Sequence, residues 1–315
     1  DVRNNSFLGC YVGFQDVSGH SLVEDNHIAG SNVAGIMLIQ SAGSVARRNS
    51  VTTSGTCIYV DSAAGAVLED NVATGCSTGM YLRGTARQNV TVQRNEVVGA
   101  TSRTVWSTDL GASSLIADNV LRNGMRCIES SGGRETIRNN TLDACGDFGI
   151  QISAGSSTSE VRMESNRIQN LTRGVTIGPG FLGNFTGNTV TGAAGTRGVE
   201  LRGGGTFANN TVQGFGEGML VQGTNAPLLS GLRFLGNTRG FIVAANATAT
   251  CDGCSFVGNS IAGVESRGSG VRADVRHSWW GHVGGPTLAS GGTKGDAITG
   301  TGVTLYDPWL TAAPS

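Results

Sequence analysis

Residues 71–97 read Asn71-Val72-Ala73-Thr74-Gly75-Cys76-Ser77-Thr78-Gly79-Met80-Tyr81-Leu82-Arg83-Gly84-Thr85-Ala86-Arg87-Gln88-Asn89-Val90-Thr91-Val92-Gln93-Arg94-Asn95-Glu96-Val97. Three short pieces stand out: Asn71-Val72-Ala73, then Gly79-Met80-Tyr81-Leu82, then Val90-Thr91-Val92. Apolar residues at every second position are the pattern of a strand with one buried face. Gly, Ser and Asn between the pieces read as turns. At Asn95-Glu96-Val97 the order starts again.

The same element, Asn-x-apolar, recurs along the chain. It begins at Asn5, Asn26, Asn49, Asn71, Asn95, Asn119, Asn140, Asn166, Asn188 and Asn210, and Asn237 and Asn259 complete the set. Successive spacings are 21, 23, 22, 24, 24, 21, 26, 22, 22, 27 and 22 residues. The Gly-apolar-x-apolar piece follows as Gly35-Ile36-Met37-Leu38, Gly149-Ile150-Gln151-Ile152, Gly174-Val175-Thr176-Ile177 and Gly198-Val199-Glu200-Leu201. Three strands per ~23 residues, with no amphipathic helix between them, make one turn of a solenoid. The expected fold is therefore all-β: a right-handed, single-stranded parallel β-helix of about 12 rungs, residues 1–280, closed by a C-terminal cap, 281–315. Stacked strands at about 4.8 Å would give a length of about 55–60 Å. All twelve asparagines are expected in one column, each amide bonding to the next and so satisfying its buried polar atoms.

Composition agrees. Of 315 residues 50 are glycine and only 14% are charged, which does not suit a helical protein. Five prolines are too few for a disordered or collagen-like chain. Net charge is −1, the one lysine is Lys294, and no basic run occurs, so nucleic acid is not an expected partner. Apolar runs are too short to span a membrane. No metal-ligand cluster or cofactor motif is read, and none is expected. Asp1 falls inside the repeat pattern, and the expectation is a processed or excised part of a longer chain.

On these residues the chain resembles the secreted bacterial β-helix repeat proteins of the pectin-lyase-like superfamily. The tail is similar to their closing segment: Ser278-Trp279-Trp280-Gly281, Gly285-Pro286, Gly295-Asp296-Ala297-Ile298 and Asp307-Pro308-Trp309-Leu310. His277 is read into the slot of the repeat Asn. Three of the four tryptophans lie in this tail, as suits a cap over an apolar cross-section. A tryptophan platform for a ligand is the alternative reading.

Seven cysteines follow the repeat. Cys57 and Cys127 each lie eight residues after their Asn, and Cys76 and Cys145 each five after theirs. The repeated offset predicts disulfides Cys57–Cys76 and Cys127–Cys145, with small buried thiols as the alternative. Cys251 and Cys254 make a third candidate pair. Cys10 has the later offset, so its partner would lie upstream of Asp1. Disulfides imply an oxidising, extracellular or cell-surface location.

Counting outward positions on the Gly-apolar strand places Tyr59, Tyr81 and Trp106 on successive rungs, with Asp61, Arg83, Asp109 and Glu129 beside them. Met37, Leu220 and Ile242 fall in the same outward column. Aromatic rings flanked by charged groups suit a sugar polymer, whose C–H faces pack on rings while charges take hydroxyls or uronates. A cross-rung aromatic ladder that only stabilises the sheet is the other reading. Glu200–Arg202 and Glu265–Arg267 read as surface ion pairs.

The resemblance does not carry catalytic motifs across. There is no Asp-Asp pair, no Gly-His-Gly, no Arg-x-Pro-x-x-Arg and no Asp-Pro-His; Asp307-Pro308 is followed by Trp309. No catalytic residue is assigned. The expected function is an extracellular module that binds glycan or serves as a structural or adhesive rod. A polysaccharide lyase or epimerase acting on the Tyr59–Tyr81–Trp106 face is the first alternative, and a filament subunit self-associating through an open N-terminal rung the second.

Overall fold

The computed structural model describes residues 1–85, 88–154, 158–289, 291 and 294–314, and of 193–195 the backbone alone. It forms two compact units, Asp1–Arg167 and Ile168–Ser315. Among the described residues no helix occurs, and the strands pair in parallel.

In the first unit each turn supplies a strand before the repeat Asn, a three-residue strand after it, and a six-residue strand. One turn shows the set: Val45–Arg47, Ser50–Thr52 and Thr56–Asp61. Residues about 23 apart become neighbours, as in Ile36↔Ile58, Ile58↔Met80, Met80↔Val105, Val105↔Ile128 and Ile128↔Ile150. This column is fully buried. Each such side chain contributes about 1.5–3 kcal/mol of hydrophobic stabilisation.

The turn before the second strand is tight. The residue preceding each repeat Asn has a left-handed backbone: Asp25, Arg48, Asp70, Arg94, Asp118, Asn139 and Ser165 lie at φ between 52° and 57°. That conformation costs a non-glycine residue energy, and Asn and Asp tolerate it best. The Asn itself is buried and recovers the cost through hydrogen bonds. Asn71 Nδ2 donates to Asn95 Oδ1 at 3.0 Å and the Asn71 backbone N–H to the same oxygen at 2.9 Å. The step repeats for Asn26–Asn49, Asn49–Asn71, Asn95–Asn119, Asn119–Asn140 and Asn140–Asn166.

Outside this column the left-handed residues alternate in charge. Arg48 makes two bonds to Asp25, both 2.8 Å, and Arg94 two to Asp70, at 2.9 and 3.0 Å. Glu24 gathers Arg3, Arg47 and Arg48, and the hydrogen bond from Arg47 leads in holding its carboxyl below the usual range.

In the second unit the interior is aromatic. Phe185 is in register with Phe207, their rings tilted at 52°, and Phe234 with Phe256, whose ring centres lie 5.4 Å apart with their planes nearly parallel at 4°. Trp280 lies fully buried 4.8 Å from Phe256, so it closes the column from the tail. Strands of the tail beyond residue 280 pair in parallel with those of the preceding turn: Val264↔Ile298 and Ala273↔Thr304.

The amides do not form the single column expected from sequence. Asn188 bonds to Asn210, but the residue in register with Asn210 is Leu232, followed by Cys254. Asn237 and Asn259 lie one turn position later, after the second strand, where the Phe215 N–H donates to Asn237 Oδ1 at 3.0 Å. The 27-residue spacing is thus one 22-residue turn, Asn210 to Leu232, plus the five residues to Asn237. This second column runs Asn237 to Asn259 (3.0 Å) and ends on Asp296, whose carboxylate takes the N–H of Gly258 at 3.0 Å and of Asn259 at 2.9 Å. A carboxyl group suits the last place because its oxygens accept from the turn before. His277 is likewise not in the Asn slot: it has the left-handed backbone of the preceding residue, φ 55°, and Ser278 takes the slot.

Candidate functional site

The six-residue strands Thr56–Asp61, Thr78–Arg83, Arg103–Thr108 and Arg126–Ser131 carry the outward side chains of the first unit. Register places Tyr59, Tyr81, Trp106 and Glu129 on one column, and Asp61, Arg83 and Thr108 on the next. The inward neighbours Val60, Leu82 and Ser107 anchor these strands in the interior.

The rings pack on one another. Tyr81 and Trp106 lie 4.0 Å apart at 6°, and Tyr59 and Tyr81 5.2 Å apart at 48°. The Arg103 guanidinium sits 4.3 Å from the Trp106 ring centre while its Nε donates to Glu129 at 2.6 Å. Tyr81 lies one turn before Trp106 and Glu129 one turn after, so Tyr81 covers one Trp106 face and Arg103 the other. Neither face is free to receive a sugar ring. At this end the row is a stacked ladder.

Glu129 is held between Arg103 and Arg126, the latter at 3.1 Å, and Arg126 also faces Asp147 at 3.5 Å. Asp109 sits exposed in the bend after Thr108 with a left-handed backbone, φ 52°, and among the described residues it makes no ion pair.

The Tyr59 end differs. Val33, Ala34, Met37, Thr56, Tyr59 and Tyr81 line a cleft of about 210 Å³. The Tyr59 hydroxyl donates to Asp61 at 3.0 Å, Ser62 donates to the other Asp61 oxygen at 2.9 Å, and Arg83 stands 3.6 Å from Asp61. Burial first, and the Asp61 acceptor second, push the Tyr59 hydroxyl above its ordinary value, so it keeps its proton. Arg83 is the most exposed of these groups, with 60% of its side chain accessible.

The corresponding face of the second unit is closed. Leu220 and Ile242 occupy outward positions yet are 2% and 0% exposed. Around them Arg267 bridges Glu217 (2.8 Å) and Glu265 (2.9 Å), Arg197 bridges Glu217 and Glu200, and Arg239 meets Glu265. The arginine heads thus pair across neighbouring turns around these two buried side chains. The Glu200–Arg202 and Glu265–Arg267 pairs are parts of this arch.

Disulfides join Cys57 to Cys76, Cys127 to Cys145 and Cys251 to Cys254, and Cys10 is a free thiol. Among the described residues no group of three or more His, Cys, Asp or Glu could hold a metal ion. Among the described residues no helix is long and apolar enough to cross a membrane.

No curated protein matches the chain. Solved structures with a similar fold include the A-module of a mannuronan C-5 epimerase from Azotobacter vinelandii, 16% identical over 97% of this chain and 91% of that one, TM-score 0.43. Another is the catalytic unit of a GH87 α-1,3-glucanase from Streptomyces thermodiastaticus, 13% identical over 96% of this chain, TM-score 0.48. This chain spans 64% of that glucanase's length. The family model described as a right handed beta helix region matches residues 1–142 and 111–212. With its period, parallel register and stacked interior, the chain belongs to the right-handed β-helix family.

Proposed function

We propose that this protein is a non-catalytic, extracellular β-helix module that binds a glycan at the Tyr59 cleft. The observation that carries the reading is the contrast along the aromatic row. Trp106 is sandwiched, whereas Tyr59 and Tyr81 line an open concavity next to Asp61 and Arg83. At about 210 Å³ the cleft is smaller than the roughly 300–1,000 Å³ of pockets that enclose a small molecule. It suits one ring of a polymer, held by apolar contact with Met37 and the tyrosines and by hydrogen bonds to Thr56, Asp61 and Arg83. Glycan binding thus narrows from the whole row to its first two members.

Two features weigh against chemistry here. Tyr59 holds its proton and donates a hydrogen bond to Asp61, so it is a poor base. Glu129, the other carboxylate of the face, is occupied by two arginines. Three disulfides support an oxidising compartment.

Affinity electrophoresis in gels containing neutral or acidic polysaccharides tests the reading. The wild type is retarded by at least one polymer, Tyr59→Ala and Arg83→Ala lose the retardation, and Trp106→Phe keeps it. Free migration in every gel, or unchanged retardation of Tyr59→Ala, would refute it.

A further inference from the structure

Glu135 is fully buried, in the interior of the first unit, immediately before the strand Thr136–Arg138. Its Oε1 accepts hydrogen bonds from Ser107 (2.7 Å) and Ser130 (2.6 Å). Its Oε2 is buried without a partner. The two serines stand at the inward position that Leu38, Val60 and Leu82 fill on earlier turns. A polar seat has thus been cut into an aliphatic column for this one carboxyl. In Glu135's own column the register neighbours are Ser114 and Val161.

Among the described residues no cation faces the carboxyl. Arg103 and Arg126 share Glu129 on the outer side of the strands whose inner side carries Ser107 and Ser130. Arg134 pairs with Glu160 at the surface, Arg138 and Arg162 are exposed, and Glu164 is half-exposed. The charge felt at Glu135 is that of Asp109, which is negative. An ionised carboxylate there has no counter-charge among the described residues; the two serine hydroxyls and its own backbone N–H favour the charged form, and desolvation outweighs them in favour of the neutral acid.

We propose that Glu135 is a proton-operated latch: seated as the neutral acid it lets the turns carrying Ser107 and Ser130 close, and loss of its proton loosens them. Burial raises its carboxyl above the ordinary value of 4.5, which agrees. The sign follows from that direction. A raised folded value gives stability that is full below 4.5 and is lost as pH rises through the folded value. The latch also reaches the outer face, because Ser107 and Ser130 adjoin Trp106 and Glu129 in the chain. Rising pH, once it passes the folded value of Glu135, therefore loosens the Trp106–Arg103–Glu129 sandwich.

The test is thermal unfolding of the full chain from about pH 5 to about pH 9, with Trp106 emission isolated by difference against Trp106→Phe. The wild type loses at least about 4 °C in Tm across this range relative to Glu135→Gln, and Trp106 emission shifts with it. Parallel profiles for the two proteins would overturn the proposal. If Glu135→Gln does not fold, infrared spectroscopy of Asp296→Asn decides. A protonated-carboxyl C=O band at neutral pH supports the latch, and its absence overturns it.

Discussion

Replacing Asn95 by Ala tests the amide column most directly. Asn95 is 1% exposed and takes part in six bonds of the column. Its Nδ2 donates to Leu68 O (2.9 Å), Gln93 O (3.0 Å) and Asn119 Oδ1 (3.1 Å), and its N–H donates to Asn119 Oδ1. Its Oδ1 accepts from the Asn71 N–H (2.9 Å) and Nδ2 (3.0 Å). Alanine keeps only the N–H bond. Two Asn71 donors and the Leu68 carbonyl then lose this partner inside the protein. At about 1–2 kcal/mol for each buried group left short, the cost is about 3–6 kcal/mol. That is a large part of the about 5–15 kcal/mol that holds a folded domain. Urea unfolding followed by far-UV circular dichroism gives the loss, and hydrogen exchange of the Asn71 amide shows whether it has opened. Asn95→Asp should also destabilise, because a carboxylate there has the Leu68 and Gln93 carbonyls for neighbours, whereas the same group ends the column at Asp296 without such a conflict. A loss below about 1 kcal/mol with Asn71 still protected would mean that the column does not hold the turns together.

Cys57→Ser and Cys127→Ser each reopen a loop of about 20 residues, with sequence separations of 19 and 18, and should each cost about 3 kcal/mol by chemical denaturation. Asp296→Ala leaves the N–H groups of Gly258 and Asn259 without this acceptor and should cost about 2–4 kcal/mol. Burial raises the Asp296 carboxyl above 3.8, so its contribution is full below that value and fades as pH rises through the folded one; Asp296→Asn should flatten this part of the Tm profile. Incubation with polyuronides should give no unsaturated-uronate absorbance, and a rise that Arg83→Ala abolishes would favour the lyase reading.

The period, the strands and their faces were legible because stacking repeats one demand at each turn. An inward slot wants an aliphatic group, a turn wants Gly or Asn, and residues 21–26 apart are forced into contact. The change of amide column was not legible. A 27-residue interval looks like a lengthened loop, and only the buried Leu232, preceded by Gly231 at φ 59°, marks where the first column is interrupted. The fate of Trp106 depends on Arg103, three residues earlier and on a side-chain torsion, which no periodicity encodes. The outward positions Leu220 and Ile242 are buried where ion pairs such as Arg267–Glu217 join different turns, an arrangement that needs the register to be known first. Glu135 did leave a trace. A Glu in a column otherwise filled by Ser, Ala and Val, together with serines at two inward slots, is a paired departure from the pattern.

A chain built of look-alike turns faces a particular hazard while folding, since a turn can settle on the next but one. The alternating sign at the left-handed positions guards against that error. Asp25 with Arg48, and Asp70 with Arg94, give attraction between consecutive turns. A skipped turn would set Asp25 over Asp70 and Arg48 over Arg94, like against like. Side chains that contribute little to the finished molecule thereby sort correct from incorrect stacking as it assembles, most strongly at low ionic strength.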